Sequence, residues 1–337
     1  MPTNIAVIGC GYWGPNLVRN FNQLNNSKVV WVCDLDQSRL DYIKELYPSV
    51  KITKDYQEII QDREIDAACI ATPVNSHFKI AKDALLGKKH VLIEKPITSN
   101  SKEAEELIRV AKENKRILMV GHTFEYNEAV NKLKDLVNKG ELGRMLYVCM
   151  TRVNLGVFRD DVNVVWDLCP HDISILNYIL NQNPISVVAH GNASYKEGIE
   201  DIAFVLLHYP QNIIAHLHVS WLDPCKIRRT VLVGDKKMVV YDDLNDVEPI
   251  KIYDKGIIKQ PYYETFGDFK LLYNWGDIHS PKIKNIEPLR IECPHFLECI
   301  QKGLRPRSDG ESGLKVVKVL EAAQQSLKNG GKLININ

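Results

Sequence analysis

The chain has 337 residues, is 45% hydrophobic and 25% charged, and carries a formal net charge of +1. That balance excludes a disordered or fibrous chain, and scattered rather than clustered basic residues leave no electrostatic footprint for nucleic acid. No stretch approaches the roughly 20 apolar residues that span a bilayer, and the length suits two domains.

Residues 4 to 122 alternate strand and helix. "NIAVIG" is a continuous apolar run of strand length, the pattern of a parallel strand buried on both faces. Next comes a helix carrying Leu17, Val18, Phe21 and Leu24 at helical spacing. "KVVWVCD", a helix over 37–47, "IDAACIATP", a helix over about 77–87, "HVLIEKP", a helix over 101–114 and "RILMVGH" follow. Repeated strand–helix units with short connections predict a doubly wound parallel sheet over residues 1–122, whose ligands bind beyond the carboxyl ends of the strands.

The rhythm changes after "GHTFEYN". A helix over about 127–139 leads to the strand "RMLYVCMTRVN", and a second helix is expected to start near Pro170. Five strands then follow without helices: "ISVVAHGNAS", "DIAFVLLHYP", "NIIAHLHVSWL", "IRRTVLVGD" and "KMVVYDD". Residues 123–337 therefore read as an α+β domain with a large, open, mostly antiparallel sheet. Residues 256–290 are aromatic-rich and read as an irregular excursion, before closing helices over about 291–302 and 311–328.

Of the eight cysteines, none forms a C-x-x-C pair, and Cys10, Cys33 and Cys69 sit in or beside apolar strands. Together with "MPTNIAVIG", which enters a strand at once, this favours a reducing, cytoplasmic setting.

"GCGYWG" places Gly9, Gly11 and Gly14 between the first strand and the first helix, with Tyr12 and Trp13 inside the loop. The glycines suit a tight turn, close approach of a pyrophosphate and helix packing, with the helix N-terminus facing the anion. Asp34 closes the second strand twenty residues after Gly14, where a carboxylate accepts ribose hydroxyls and repels a 2′-phosphate. The expected cofactor is NAD; Arg39 either softens that preference or belongs to a solvated helix face. Ala71, Thr72 and Pro73 end the strand before Asn75 and His77, and Glu94 and Lys95 end the strand before Pro96. All lie at the edge where the nicotinamide half belongs. His77 either touches cofactor or caps the helix.

The order G-x-G-x-x-G, "ATP…H", "EKP" and a D-x-x-x-H (Asp167, His171) resembles the glucose–fructose oxidoreductase/inositol dehydrogenase (Gfo/Idh/MocA) family over essentially the whole chain. "GYWGPNLVRNF", "WDLCPHDIS" and "HFLECI…DGESGLKVVKVLEAA" are similar to the branch acting on UDP-linked N-acetylamino sugars, which oxidises the 3-hydroxyl of UDP-N-acetylglucosamine or its uronic acid. The resemblance implies that Lys95, Asp167 and His171 surround the reacting carbinol. Imidazole suits the base, a carboxylate one turn earlier suits its orienter, and an ammonium suits a developing alkoxide. This reading gives His171 as base, Asp167 as orienter and Lys95 as polariser, with exchange between Lys95 and His171 left open. By themselves, Asp167 and His171 read as a helix cap and a solvated first turn, and it is EKP and the dinucleotide motif that favour the catalytic pair, with Asp172 structural.

Substrate contacts are expected from Tyr126 and Asn127 after the domain junction and from Arg159 for a diphosphate; the resemblance implies that "TRVNLG", with Arg152 and Asn154, lines the sugar pocket, and otherwise Arg152 is a strand-end charge. His216 and His218 share a strand face, but no third ligand accompanies them and no metal is expected. The open sheet is expected to form a homodimer or homotetramer, as the family does. A free polyol dehydrogenase, such as one for inositol, and a non-catalytic nucleotide-sensing regulator are the alternatives.

Overall fold

The computed structural model describes residues 2–156, 158–258 and 272–336. Its first sheet joins β1 (Thr3–Ile8), β2 (Ser27–Cys33), β3 (Lys51–Thr53), β4 (Ala67–Ile70), β5 (His90–Glu94) and β6 (Leu118–Gly121), all parallel, in the order β3-β2-β1-β4-β5-β6. The crossovers are α1 (Gly14–Asn22), α2 (Gln37–Leu46), α3 (Tyr56–Gln61), α4 (Val74–Leu86) and α5 (Ser101–Glu113). Side-chain caps begin several of these helices: Asp36 accepts from the Ser38 amide and Asn100 from that of Glu103. β3 and α3 are too short and too polar to have stood out in the sequence.

The second sheet is mixed and mostly antiparallel, in the order β14-β13-β12-β11-β7-β10-β9-β8-β15. Its strands are β7 (Met145–Val153), β8 (Ser186–Asn192), β9 (Ile202–Tyr209), β10 (Ile213–Ser220), β11 (Ile227–Gly234), β12 (Met238–Asp242), β13 (Ile250–Ile258), β14 (Leu272–His279) and β15 (Ile334–Asn335). Among the described residues, only β7 and β10 pair in parallel in this sheet. Alternation is clean in β9 and β10: Ala203, Val205, Leu207, Ala215, Leu217 and Val219 are buried, whereas Phe204, Leu206 and Ile214 face outward. The helices are α6 (Glu128–Asn138), α7 (Val164–Leu180), α8 (Leu289–Lys302) and α9 (Gly310–Lys328), and α7 packs on β9 and β10.

Three sequence expectations change. The chain forms two compact units, Met1–Tyr126 with Ile286–Lys318, and Asn127–Asn285 with Val319–Asn337, so a single cut at 122/123 does not describe it. The cause is apolar packing: Leu289, Cys293, Phe296 and Leu297 of α8 join the core of Leu17, Val18 and Phe21, with the Phe21 and Phe296 rings edge to face at 6.4 Å. Arg19 adds a two-pronged ion pair to Glu287 at 3.0 and 2.5 Å. Next, the excursion over 256–290 is partly regular, because β14 pairs antiparallel with β13; its stretch 259–271 lies outside the described residues. Finally, α7 starts at Val164 rather than near Pro170. Asn163 caps it by accepting from the Trp166 amide, and Pro170 is accommodated inside the helix.

Candidate active site

Each unit presents its own set of functional side chains. In the first, the β1–α1 loop is built on two glycines. Gly9 has φ +95°, and a β-carbon there would lie 2.6 Å from the Ala71 carbonyl oxygen. At Gly14 it would lie 2.0 Å from the Gly9 carbonyl oxygen. The loop is thus pressed against the end of β4. Beyond it, α1 begins at Gly14 with Pro15 in its first turn and no side-chain cap, so its first amides remain available to an anion. A β-carbon at Gly11 would meet Arg39 Nη1 at 3.9 Å, an ordinary contact. Tyr12 is exposed and stands edge-on to Trp13, which packs on the core. These features fit a dinucleotide pyrophosphate.

The Asp34 carboxylate is tied to the same loop. Oδ2 accepts from the Cys10 amide at 2.6 Å and Oδ1 from the Asp36 amide at 2.9 Å. Arg39 is not simply a solvated helix residue: its guanidinium is 3.6 Å from Asp34 and 3.7 Å from Asp36. Burial, then the Asp34 charge, push the Cys10 thiol up to about 12, so it stays protonated and inert.

His77 contributes no side-chain cap. It is 1% exposed, with Nδ1 at 2.9 Å from the Pro96 carbonyl and Nε2 at 2.7 Å from the Thr72 carbonyl. Burial lowers its pKa, while the Pro96 and Thr72 carbonyls pull it the other way. The ring therefore braces two strand-end loops, "ATP" and "EKP", against each other. Ala71 and Thr72 are half-buried there, with Pro73 and Asn75 exposed at the head of α4. Replacing His77 by Phe is expected to release both loops, costing about 2 kcal/mol of stability and weakening NAD+ binding roughly tenfold. Calorimetric titration and a melting curve read the two effects.

Lys95 follows β5, half-buried, with a cis peptide bond to Pro96. Glu94, expected beside the cofactor, turns its carboxyl inward next to Gly121. Tyr126, expected at the substrate, is fully buried, its hydroxyl 3.0 Å from that of Ser308 and its ring under the Arg307 guanidinium.

In the second unit, Asn127 caps α6, its side chain accepting from the Ala129 and Val130 amides. Asp167 and His171 lie one turn apart on α7. Asp167 Oδ2 accepts from the Trp221 indole at 3.0 Å, and Oδ1 is 3.4 Å from Arg159 Nη1. The carboxylate is thus held from two sides, at a helix start that favours negative charge. Arg159 is also engaged by Asp161 through bonds of 2.9 and 2.8 Å. Arg152 departs from its expected substrate role: it is buried, and its Nε and Nη2 both donate to Asp172 Oδ1 at 2.8 Å. Asn154 is half-buried, its amide donating to the Ser220 carbonyl at 3.2 Å.

Sequence reasoning missed the aromatic group beside Asp167. The Phe158 ring meets Tyr195 at 5.0 Å and Trp221 at 5.8 Å. The tripeptide "SWL" closing β10 was the only signal, and nothing local linked it to residue 167. Among the described residues no group of three His, Cys, Asp or Glu is placed to hold a metal ion, and no helix is long and apolar enough to cross a membrane.

Comparison with known proteins places both parts of the chain in one family. Residues 3–122 match the oxidoreductase family, NAD-binding Rossmann fold model of GFO/IDH/MocA, and residues 130–240 match the GFO/IDH/MocA C-terminal domain. The chain is 24% identical to the myo-inositol 2-dehydrogenase of Thermotoga maritima over 334 residues, 96% of each chain. Among solved structures it is similar to a UDP-N-acetylglucosamine 3-dehydrogenase from Acidithiobacillus ferrooxidans, with a TM-score of 0.82, 22% identity and coverage of 98% of this chain and 99% of that one. An oxidoreductase from Agrobacterium radiobacter in complex with NAD+, L-tartaric acid and magnesium matches at a TM-score of 0.83 and 18% identity, over 100% and 99% of the chains. With both domain models matched in order along one chain, the protein belongs to the GFO/IDH/MocA family of oxidoreductases and carries that family's NAD-binding Rossmann domain.

Proposed function

We propose that the protein is a cytoplasmic, NAD-dependent sugar dehydrogenase that oxidises a secondary hydroxyl, at C3, of a UDP-linked N-acetylamino sugar. The observation that carries the chemistry is the Asp167 carboxylate, fixed by Trp221 and Arg159 one helical turn before His171. Bound NAD+ supplies the hydride acceptor. His171 takes the hydroxyl proton, Asp167 orients the imidazole, and the Lys95 ammonium stabilises negative charge on the carbinol oxygen. Asp34 holds the ribose hydroxyls, with the Gly9–Gly14 loop and the head of α1 receiving the pyrophosphate. Exposed Tyr195 and Phe158, beside Trp221, offer flat rings of the kind on which a sugar or base stacks. Likeness to the A. ferrooxidans enzyme agrees with this substrate class.

A second reading, dehydrogenation of a free polyol such as inositol, draws on the inositol dehydrogenases among the relatives and on Arg159. That arginine is already neutralised by Asp161 and Asp167, which leaves less charge for a diphosphate. NADH formation with UDP-N-acetylglucosamine, its uronic acid and myo-inositol separates the two. Turnover of a UDP-sugar is expected, turnover of inositol alone would transfer the assignment, and tight NAD+ binding without turnover would favour a nucleotide sensor.

Asp34→Ala tests the cofactor assignment. With the carboxylate gone, Arg39 is released toward a 2′-phosphate, so KM for NAD+ should rise at least about tenfold while NADP+ use increases. Adding Arg39→Ala should abolish that gain.

The outward face of the nine-stranded sheet is the proposed homo-oligomer contact. Tyr147, Phe204, Leu206 and Ile214 are exposed there, and Phe204 stacks on His218 at 4.6 Å. Light scattering should show a dimer or tetramer that Phe204→Lys dissociates.

A further inference from the structure

The cofactor residues of the first unit follow the carboxyl ends of its parallel strands. The opposite edge of the same sheet, where β4, β5 and β6 begin, holds a pocket of about 500 Å³ drawn from residues 60–66, 87–90 and 116. That volume suits a small organic ligand. One wall closes where α4 ends. A β-carbon at Gly87 would lie 2.6 Å from Ile60 Cγ2, so glycine lets the end of α4 lie against α3.

The lining is strongly basic. Arg63, Lys88, Lys89 and Arg116 share it with one carboxylate, Asp66, whose Oδ2 already accepts from the Asn4 amide at 2.8 Å. His90 adds no charge. Burial, then the Arg116 charge, pull its pKa down to about 4, and its Nδ1 accepts from the Ile117 amide at 3.0 Å.

An ordinary role for basic residues at such a place is to answer the carbonyl ends of helices, and α3, α4 and α5 all end at this edge. Lys89 fills that role. It is 4% exposed, and its Nζ donates to the Asp62 and Ile65 carbonyls at 2.6 and 2.9 Å. The other three cations are not used up in this way. Lys88 donates to the Asn114 side-chain oxygen at 2.6 Å, and Arg116 Nη1 reaches the Lys115 carbonyl only at 3.5 Å. Arg116 Nε is buried without a hydrogen-bond partner, a donor that is costly to leave unmet. Arg63 is exposed, and none of the three is ion-paired among the described residues. Each helix end carries about half a negative charge at most, so three ends and Asp66 fall short of four cations. A positive surplus remains. Lys88 also has φ +62°, a left-handed conformation that usually belongs to glycine after a helix, yet a lysine is kept there.

We propose that this pocket is a second ligand site, separate from the cofactor loop, that binds a small molecule through a diphosphate group held by Arg63, Lys88 and Arg116. Three cations from three segments surround more space than one phosphate or carboxylate fills, and guanidinium forks grip phosphate oxygens in pairs. A diphosphate offers charge and acceptor oxygens to all three at once. The site lies wholly within the first unit and stands apart from the proposed dehydrogenase reading.

The test uses the full chain saturated with NAD+, so that the cofactor loop is occupied, and inorganic pyrophosphate as the probe. Calorimetric titration at low ionic strength should show saturable binding. Arg63→Gln, Lys88→Gln and Arg116→Gln should each weaken it at least about fivefold, the loss of one charge-assisted contact, with NAD+ affinity within about threefold of wild type. Arg63 and Lys88 are exposed, so those two variants carry the test if Arg116→Gln impairs folding. Inorganic phosphate should bind at least about threefold more weakly than pyrophosphate, and equal affinity overturns the diphosphate assignment. Acylation followed by mass spectrometry reads the location. Pyrophosphate should slow modification of Lys88 at least about threefold and leave exposed Lys102, at the head of α5, unchanged. Absence of binding, binding that all three variants retain, or an unprotected Lys88 overturns the inference. Binding lost instead in Arg159→Gln also overturns it, because pyrophosphate would then belong to the proposed substrate site of the second unit.

Discussion

Lys95→Ala and His171→Ala are each expected to lower kcat/KM for sugar oxidation by roughly 10²- to 10⁴-fold, the range lost when a general base or a charge-stabilising donor is removed. For His171→Ala, NAD+ affinity should stay within about threefold of wild type, because the cofactor loop and Asp34 are untouched. The measurement is steady-state NADH formation over a pH series, with calorimetric NAD+ binding as control. Near-normal turnover in either variant would remove that residue from the mechanism.

Arg152→Met is expected to cost about 3–5 kcal/mol, because it strands the Asp172 carboxylate in the interior. Both oxygens of that carboxylate are buried, and Oδ2 has no hydrogen-bond partner to compensate. Burial already raises the Asp172 pKa, with Arg152 the principal opposing influence. The melting transition of the second unit should fall on the order of 10 °C. Combining Arg152→Met with Asp172→Leu should recover most of the loss, since a buried pair replaced by apolar residues of similar volume is often neutral. A substrate-contacting arginine would behave differently, raising KM with little change in melting. The same experiment therefore decides between the structural and the substrate role of Arg152.

The parts of the site that were legible share one property: their signals are local. Gly9, Gly11 and Gly14 are neighbours in sequence because a tight turn and a helix start are local events, and Asp34 is a short crossover away. Lys95 was legible because Pro96 follows it at the end of an apolar strand. The alternation of buried and exposed residues in β9 and β10 likewise declared an open sheet, since strand periodicity depends on adjacent residues.

Errors arose where distant segments competed with local preference. Pro170 looked like a helix start, but Asn163 caps the helix earlier and α7 tolerates the proline. Tyr126, at a junction, looked like a pocket residue until Ser308, 182 positions away, claimed its hydroxyl.

From the sequence alone came the doubly wound parallel sheet, the mostly antiparallel second sheet, the dinucleotide loop with Asp34, and the candidate trio of Lys95, Asp167 and His171. Periodicity and short motifs encode the sheets and the loop, because each depends on residues a few positions apart, whereas the trio was joined only by the family resemblance. Tertiary structure alone decided that α8 belongs with the first unit, that Arg152 neutralises Asp172, and that Trp221 holds Asp167. The reason is physical: burial determines whether a polar side chain is solvated, paired or kept protonated, and burial is set by segments far apart in the chain.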